Sequence, residues 1–286
     1  MRIKLGSIIF YSMVALLLLA IVSFWGFYWA VNPIKINSLI TPQRLNMAYE
    51  TIHLKTADNI KLIAWYIPSK IKTNKAIILL HGYPADKGDI LPSTAFLHEK
   101  YNLLYLDFRY FGQSEGHYSS IGKHEVLDLL SAVNYLHVEK NISHIGVWGF
   151  SMGGAVALMG AAQTKLIDSI VVISPYARLD WIADEYFKIP ILRYLFAKLL
   201  SWWAYYILDI DIHQISPAQS IKIITIPVFL IYSKVDSVVP YRHGNLIEKN
   251  MPVNDTSNVK VFDILEHGQI PSSLNHDITQ FFDKTL

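Results

Sequence analysis

The sequence predicts a doubly wound α/β domain, a mainly parallel sheet with helices on both faces, preceded by one long apolar helix. Three observations carry this. Continuous apolar runs such as Lys75–Leu80 and Ile226–Tyr232 read as strands covered on both faces. Between them lie segments of helical periodicity, and that alternation is the pattern of a parallel sheet with crossover helices. Ahead of them, Leu5 to Ile34 carries no charged residue.

The apolar segment comes first. Ile8 to Val31 is almost wholly apolar and includes Leu16-Leu17-Leu18-Leu19. A helix of that length reaches about 36 Å, enough to cross a ~30 Å hydrocarbon core with some tilt. Trp25, Tyr28 and Trp29 cluster near its end, as interfacial aromatics do, and Asn32-Pro33 stops it. Arg2 and Lys4 favour a cytoplasmic N-terminus, which puts the following domain in the periplasm or outside; Lys35 and Arg44 on the far side weaken that bias. A cleaved signal peptide shares the basic start, but its apolar core is shorter and a small-x-small site follows it. A buried core helix would be amphipathic rather than uniformly apolar. The expected organisation is a single-pass membrane anchor over 1–34, a linker over 35–48 and one α/β domain over 49–286.

Composition narrows the chemistry. The chain has 286 residues, a net charge of +2 and no cysteine. A domain of this size buries enough surface to fold without staples. So small a charge gives no reason to expect nucleic acid as a partner. The missing thiols exclude disulfides, thiolate metal sites and a cysteine nucleophile, and they leave the compartment open. There is no H-E-x-x-H pattern and no phosphate-cradling glycine loop, so neither metal nor organic cofactor is expected.

Within the domain, Glu50–Lys55 and Ile60–Ile67 alternate around the turn at Asp58-Asn59 and open it as an antiparallel pair. Lys75–Leu80 is the first parallel strand. Residues 86–100 read as a helix and Asn102–Leu106 as a strand. Lys123–Lys140 places Val126, Leu129, Leu130, Val133 and Leu136 on one helical face. His144–Trp148 is a strand and Gly154–Met159 a helix. Asp168–Ile173 and Ile226–Tyr232 are strands, 241–250 a helix, Asn258–Leu265 the last strand and 272–283 the closing helix.

Gly149-Phe150-Ser151-Met152-Gly153 sits between the strand at 144–148 and the helix after it. A serine flanked by glycines two residues either side, at a strand-to-helix turn, is a nucleophile elbow. The turn is so tight that side chains at 149 and 153 are expected to collide. The hydroxyl then stands clear of the sheet, and the Met152 amide, at a helix N-terminus, faces whatever the hydroxyl attacks. The bland alternative is a glycine-rich turn with a capping serine.

A serine hydroxyl needs a base, and the base needs a partner that sets its tautomer. In an elbow protein the chain order is serine, then acid, then histidine. Ser151, Asp236 and His267 supply that order, each after a strand, where ligand sites form in such sheets. His243 and His276 compete for the base, but both fall in predicted helices. Asp255 and Asp263 compete for the acid, the first in a polar loop, the second inside a predicted strand. A second oxyanion donor belongs in the loop after the first parallel strand, His81-Gly82-Tyr83, and Tyr83 is chosen for its amide. His81 reads as a brace for that loop. Asp107 and Arg109 resemble active-site charges but read as a loop-fixing ion pair and hydrogen-bond set.

With His81-Gly82, Asp107-Phe108-Arg109-Tyr110-Phe111-Gly112-Gln113-Ser114-Glu115-Gly116, the Gly149 elbow, Asp236-Ser237-Val238-Val239-Pro240 and His267-Gly268 assembled, residues 50–284 resemble the α/β-hydrolases. The likeness is greatest to the serine aminopeptidase-like and Bem46-like branch, which includes membrane-anchored members. The second motif usually has glycine where this chain has Tyr110. The resemblance implies an eight-stranded, mostly parallel sheet and hydrolysis of an ester, thioester or amide through an acyl-enzyme. It also implies a helical lid, here about 178–216. That insertion is rich in aromatics, and Trp181, Phe187, Trp202 and Trp203 are the candidates for contact with a long-acyl or lipid substrate. A helical hairpin packed on the core explains the same residues. The expected protein is therefore a membrane-anchored serine hydrolase. The rivals are a peptidase or acyltransferase on the same three residues, or a catalytically silent membrane-bound binding protein.

Overall fold

The computed structural model describes residues 5–187, 192–252 and 256–286; Arg2, Lys4 and Asp255, each weighed above, lie outside the described residues. The chain runs α1 (Leu5–Val31), β1 (Glu50–Lys55), β2 (Lys61–Ile67), β3 (Lys75–Leu80), α2 (Leu91–Thr94), β4 (Asn102–Leu106) and α3 (Glu125–Val138). It continues with β5 (His144–Phe150), α4 (Met152–Ala161), β6 (Ser169–Ile173), α5 (Leu179–Tyr186), α6 (Leu192–Leu208), α7 (Pro217–Ser220) and β7 (Val228–Ser233). It closes with α8 (Arg242–Asn250), β8 (Asn258–Phe262) and α9 (Leu274–Thr285).

The strands form one eight-stranded sheet in the order β1-β2-β4-β3-β5-β6-β7-β8. β1 and β2 pair antiparallel, β2 also meets β4 antiparallel, and every later pairing is parallel. Strands β3 to β7 are buried on both faces, which is why they read as unbroken apolar runs rather than as alternation. One face of the sheet is covered by α3, α4 and α8, with Leu129, Val133, Val156 and Ile247 in its core. The other is covered by α2 and α9, with Leu91, Ile278, Phe281 and Phe282.

Two predicted elements are shorter than expected. Residues 86–100 are not one helix: they give α2 and a 3-10 turn at Ala95–Glu99. Asp86 Oδ1 accepts the Gly88 N–H at 3.0 Å and closes a turn, and Pro92 fits only the first turn of a helix. The last strand stops at Phe262 rather than 265. Its neighbour β7 ends at Ser233, and the Lys234 N–H bond to Phe262 O (2.8 Å) is the final rung.

α1 is the one described helix long and apolar enough to cross a membrane, with a mean hydropathy of 2.5 in its most apolar window. Gly6 to Leu18 is exposed throughout. Burial begins only near its end, where Ser23, Phe27, Ala30 and Val31 pack against the domain.

Candidate active site

The elbow is built by close contact. A Cβ on Gly149 would strike the Gly153 carbonyl, as expected from the sequence; a Cβ on Gly153 would instead meet the carbonyls of Leu80 and His81, so the second glycine is demanded by β3. Between them Ser151 sits at φ 53°, ψ −116°, a conformation L-residues rarely adopt. It is held there by its N–H bond to Ile173 O (2.8 Å) and by its carbonyl, which accepts the Ala155 N–H at 3.0 Å. The serine oxygen thus projects from the carboxyl end of β5 at the mouth of α4.

Two loops deliver the partners. Asp236 follows β7, and its Oδ1 accepts the N–H groups of Val238 (3.0 Å) and Val239 (2.8 Å). Its Oδ2 lies 2.7 Å from Nδ1 of His267, which sits in the loop after β8. Nε2 of the same ring lies 3.0 Å from Ser151 Oγ. Burial opposes the charge on Asp236, but the hydrogen bonds and charge of His267 and the two amides outweigh it and hold the carboxyl below its usual range. An ionised Asp236 accepts the Nδ1–H, so Nε2 carries the lone pair toward the serine. The Phe150 ring packs beside the imidazole with centroids 4.9 Å apart.

The loop after β3 lies against the serine. A Cβ on Gly82 would be 3.3 Å from the Ser151 Cβ. The Tyr83 and Met152 N–H groups donate to no main-chain carbonyl among the described residues. Met152 is the first residue of α4, where an amide has no intrahelical acceptor. The Tyr83 side chain points elsewhere: its hydroxyl donates to Ala30 O of α1 at 2.8 Å, and burial pushes its pKa up.

The competing residues are placed apart from this set. His243 is fully buried in α8, accepts the Ala177 N–H at 2.9 Å, and packs edge-on to Trp181; burial depresses its pKa to about 3. His276 is exposed on α9. Asp263 lies just past β8 and pairs with Lys234 at 2.7 Å. His81 is buried, with Nδ1 2.7 Å from Gly82 O and Nε2 accepting the Phe108 N–H at 3.2 Å, so it ties the β3 loop to the β4 loop.

Asp107 and Arg109 do not pair with each other. Asp107 holds the buried ammonium of Lys87 and accepts the N–H groups of Lys87 (2.8 Å) and Gln113 (2.9 Å). Arg109 binds Asp128 through Nη2 (2.7 Å) and Asp58 through Nη1 (2.6 Å). Tyr110, standing where the motif has glycine, keeps the left-handed backbone with φ 70°. Its hydroxyl donates to Pro33 O at 2.6 Å and the Lys35 ammonium lies 4.9 Å from its ring centre, contacts glycine could not make.

Sequence reasoning missed Lys87, Asp128 and Glu125. Glu125 is fully buried and shapes the loop before α3 by accepting from Ser119 Oγ (2.8 Å), Ser120 N (2.9 Å) and Gly122 N (2.8 Å). The Ser119-Ser120-x-Gly122-x-x-Glu125 spacing, small donors just before an acid at a helix start, was the available signal. That loop also donates the Ser119 N–H to Val31 O of α1 at 2.8 Å.

A narrow cavity of about 70 Å³ lies among α1, α5 and α6, walled by Phe27, Ala30, Ile182, Tyr186, Leu200 and Ala204 among others, with almost no polar surface. None of the four aromatics named from the sequence lines it. Trp181 lies between Arg178 and Arg242, which stack at 5.5 and 4.8 Å. Phe187 packs on Phe196 and against Gly26. Trp203 donates Nε1–H to Ser23 Oγ at 3.1 Å, and Trp202 faces outward. Phe27, Ala30 and Val31 of α1 supply one side of the cavity, a contribution that an insertion considered alone does not reveal.

The elbow, the sheet order and the convergent loops define an α/β-hydrolase-type fold. Residues 75–211 match the family model for the alpha/beta hydrolase fold. An esterase from Pyrococcus furiosus superposes with a TM-score of 0.72 at 31% identity, covering 89% of this chain and 98% of that one. The chain belongs to the α/β-hydrolase superfamily. The Escherichia coli protein YfhR, described as uncharacterized, is 28% identical over 204 residues, 68% of this chain and 66% of its own length. The Arabidopsis thaliana alpha/beta hydrolase domain-containing protein WAV2 is 35% identical over 133 residues, 44% of this chain and 41% of its own. A thiohydrolase from Aspergillus aculeatus is 27% identical over 142 residues, 48% of this chain and 44% of its own. The chain thus matches two thirds or less of the length of these curated relatives.

Proposed function

We propose that the chain is a membrane-anchored serine hydrolase that cleaves a carboxylic ester, or a related acyl bond, through an acyl-enzyme. The observation that carries this reading is the hydrogen-bonded series Ser151 Oγ, His267, Asp236, set at the N-terminus of α4. His267 Nε2 takes the serine proton as Oγ bonds to the substrate carbonyl carbon. The carbonyl oxygen gains negative charge beside the Met152 and Tyr83 amides and the positive end of α4. Loss of one such donor costs roughly 3–4 kcal/mol of transition-state stabilisation. Asp236 keeps Nδ1 protonated and stabilises the imidazolium.

When the intermediate collapses, His267 returns the proton to the departing oxygen, the alcohol leaves, and the acyl group stays on Ser151. A water then gives its proton to His267 and attacks the acyl carbon. Serine recovers the proton and the acid leaves. The esterase likeness supports an ester; the thiohydrolase likeness supports a thioester, which passes through the same steps with a sulfur leaving group.

The apolar cavity, walled by residues outside the catalytic set, is the space we assign to a hydrocarbon acyl chain, each buried methylene contributing about 0.8 kcal/mol. The exposed apolar length of α1 supports the membrane anchor, and Arg2 and Lys4 ahead of it favour a domain in the periplasm or outside. A fluorophosphonate probe is expected to label the wild type and not Ser151→Ala; a folded wild type that resists labelling overturns the serine-hydrolase reading. On p-nitrophenyl esters kcat/KM is expected to rise with acyl length, and equal rates on acetate and decanoate remove the long-chain reading.

A further inference from the structure

α6 has a composition its position does not explain. Its inner face packs on the core through Phe196, Ala197, Leu200 and Ala204. Its exposed positions are Leu192, Tyr194, Leu195, Lys198, Trp202, Tyr205, Tyr206 and Ile207, and of these only Lys198 is charged. A surface helix normally turns charged residues outward, and one apolar all round is covered by protein or by lipid. Trp202 is 48% exposed and Tyr206 65%, and they stack on each other with ring centroids 4.7 Å apart.

The depth of α6 follows from its contacts with α1. Trp203 meets Phe24 edge-on at 5.4 Å and bonds to Ser23, and the cavity between the two helices reaches down to Ala30 and Val31. α6 therefore touches α1 only over its last turns, while Gly6 to Leu18 stands free. From Gly6 to Phe24 a helix rises about 27 Å, close to the ~30 Å of a hydrocarbon core. The contact is thus level with the far boundary of a bilayer that α1 crosses, where Trp25, Tyr28 and Trp29 are also exposed or partly exposed. Aromatic rings of this kind concentrate at that level.

We propose that the outer face of α6 lies in the interfacial layer of the bilayer, so that anchor and inserted helix form one continuous lipid-contacting surface. The occupant is a lipid surface, because the patch is continuous with the apolar helix and shares its aromatic belt. Lys198 reaches from the same face toward headgroups, as a lysine stem on apolar surface does. The proposal rests on the reading of α1 as membrane-spanning. It places the apolar cavity, walled on the α1 side by Phe27, Ala30 and Val31, just past that boundary, on the domain side of the interfacial layer.

The absence of cysteine makes a site-directed test direct. Single cysteines at Leu195, Trp202 or Tyr206 in the full chain, at Leu17 in α1, and at exposed Ile71 in the β2–β3 loop, at the amino ends of the parallel strands, are labelled with an environment-sensitive fluorophore. The labelled proteins are reconstituted in phosphatidylcholine–phosphatidylglycerol vesicles carrying spin-labelled lipids. Labels on α6 are expected to lose roughly half their emission to a spin label near the headgroup, matching an interfacial helix sunk into that boundary. Leu17→Cys is expected to respond to a mid-chain spin label, and Ile71→Cys to neither. Quenching at Leu17 with all α6 labels at the Ile71 level overturns the proposal while leaving the anchor intact, the outcome a second copy covering α6 would give. No quenching at Leu17 overturns the anchor reading and the proposal together. Equal quenching at Ile71 and α6 overturns it as adsorption of the whole surface. The measurement involves no catalysis, so it stands apart from any failure of the hydrolase reading.

Discussion

The hydroxyl of Tyr83 donates to the main-chain carbonyl of Ala30, so the residue whose amide we propose as an oxyanion donor is also bonded to the last turn of α1. Carbonyls at a helix end have no intrahelical donor. Here Ala30, Val31 and the following Pro33 take theirs from Tyr83, Ser119 and Tyr110. Tyr83→Phe is expected to lower stability by about 1 kcal/mol. It is also expected to lower kcat more than it changes KM, because it loosens the amide proposed to act on the transition state. Melting curves and steady-state kinetics on a soluble ester check both; an unchanged kcat means the amide is held without the anchor.

Asp236→Asn keeps the shape of the carboxylate but allows the wrong tautomer of His267. A loss in kcat on the order of 10⁴ is expected, as for the same change in a serine protease. Ser151→Gly removes the nucleophile and also the strain at φ 53°. It is expected to be inactive yet more stable by about 1 kcal/mol, the strain relief being reduced by the entropy of glycine. Rate assays and urea melts of the two variants test this.

Arg109 is bound on both sides, to buried Asp128 and to half-exposed Asp58. Burial pushes the Asp128 carboxyl up to about 7, against the hydrogen bonds and charge of Arg109. Arg109→Ala leaves that carboxylate buried without its partner, and a loss of about 3–5 kcal/mol is expected. Asp128→Asn removes the charge that burial opposes and is expected to cost less. Urea unfolding of both variants orders them.

Acid stability draws on carboxylates held below their usual range in the folded chain, Asp58 and Asp236 among them. The Arg109 hydrogen bonds hold Asp58 down to about 2, and Asp236 is also below its usual range. An acid whose folded pKa is depressed binds protons more readily when unfolded. Its contribution is complete above about pH 4, the unfolded value, and is lost as pH falls through the folded value. Stability is expected to fall between about pH 4 and 2, with a shallower slope in Asp58→Asn, read from thermal melts across that range.

Much of the architecture was legible because it is written locally. Strand burial shows as unbroken apolar runs, the elbow as glycine spacing, and chain order orders serine, acid and base. Helix 86–100 misled because its apolar residues have helical spacing while Asp86 and Pro92 delay its start. The strand at 258–265 was overrun because only its neighbour, ending at Ser233, limits it. Lys87, Asp128 and Glu125 went unnoticed because a buried charge looks like any surface charge until its partners are known.

By itself the sequence determined the sheet, the apolar helix and the residue types at the strand ends, since backbone propensity and hydrophobic period act within a few residues. Only the tertiary structure decided that the imidazole of His267 lies between Asp236 and Ser151, 31 and 116 positions away along the chain. It alone decided that α1 closes one wall of the cavity beneath α6. Both depend on loops and helices distant in sequence meeting at one sheet edge, and such contacts arise from packing of the whole chain.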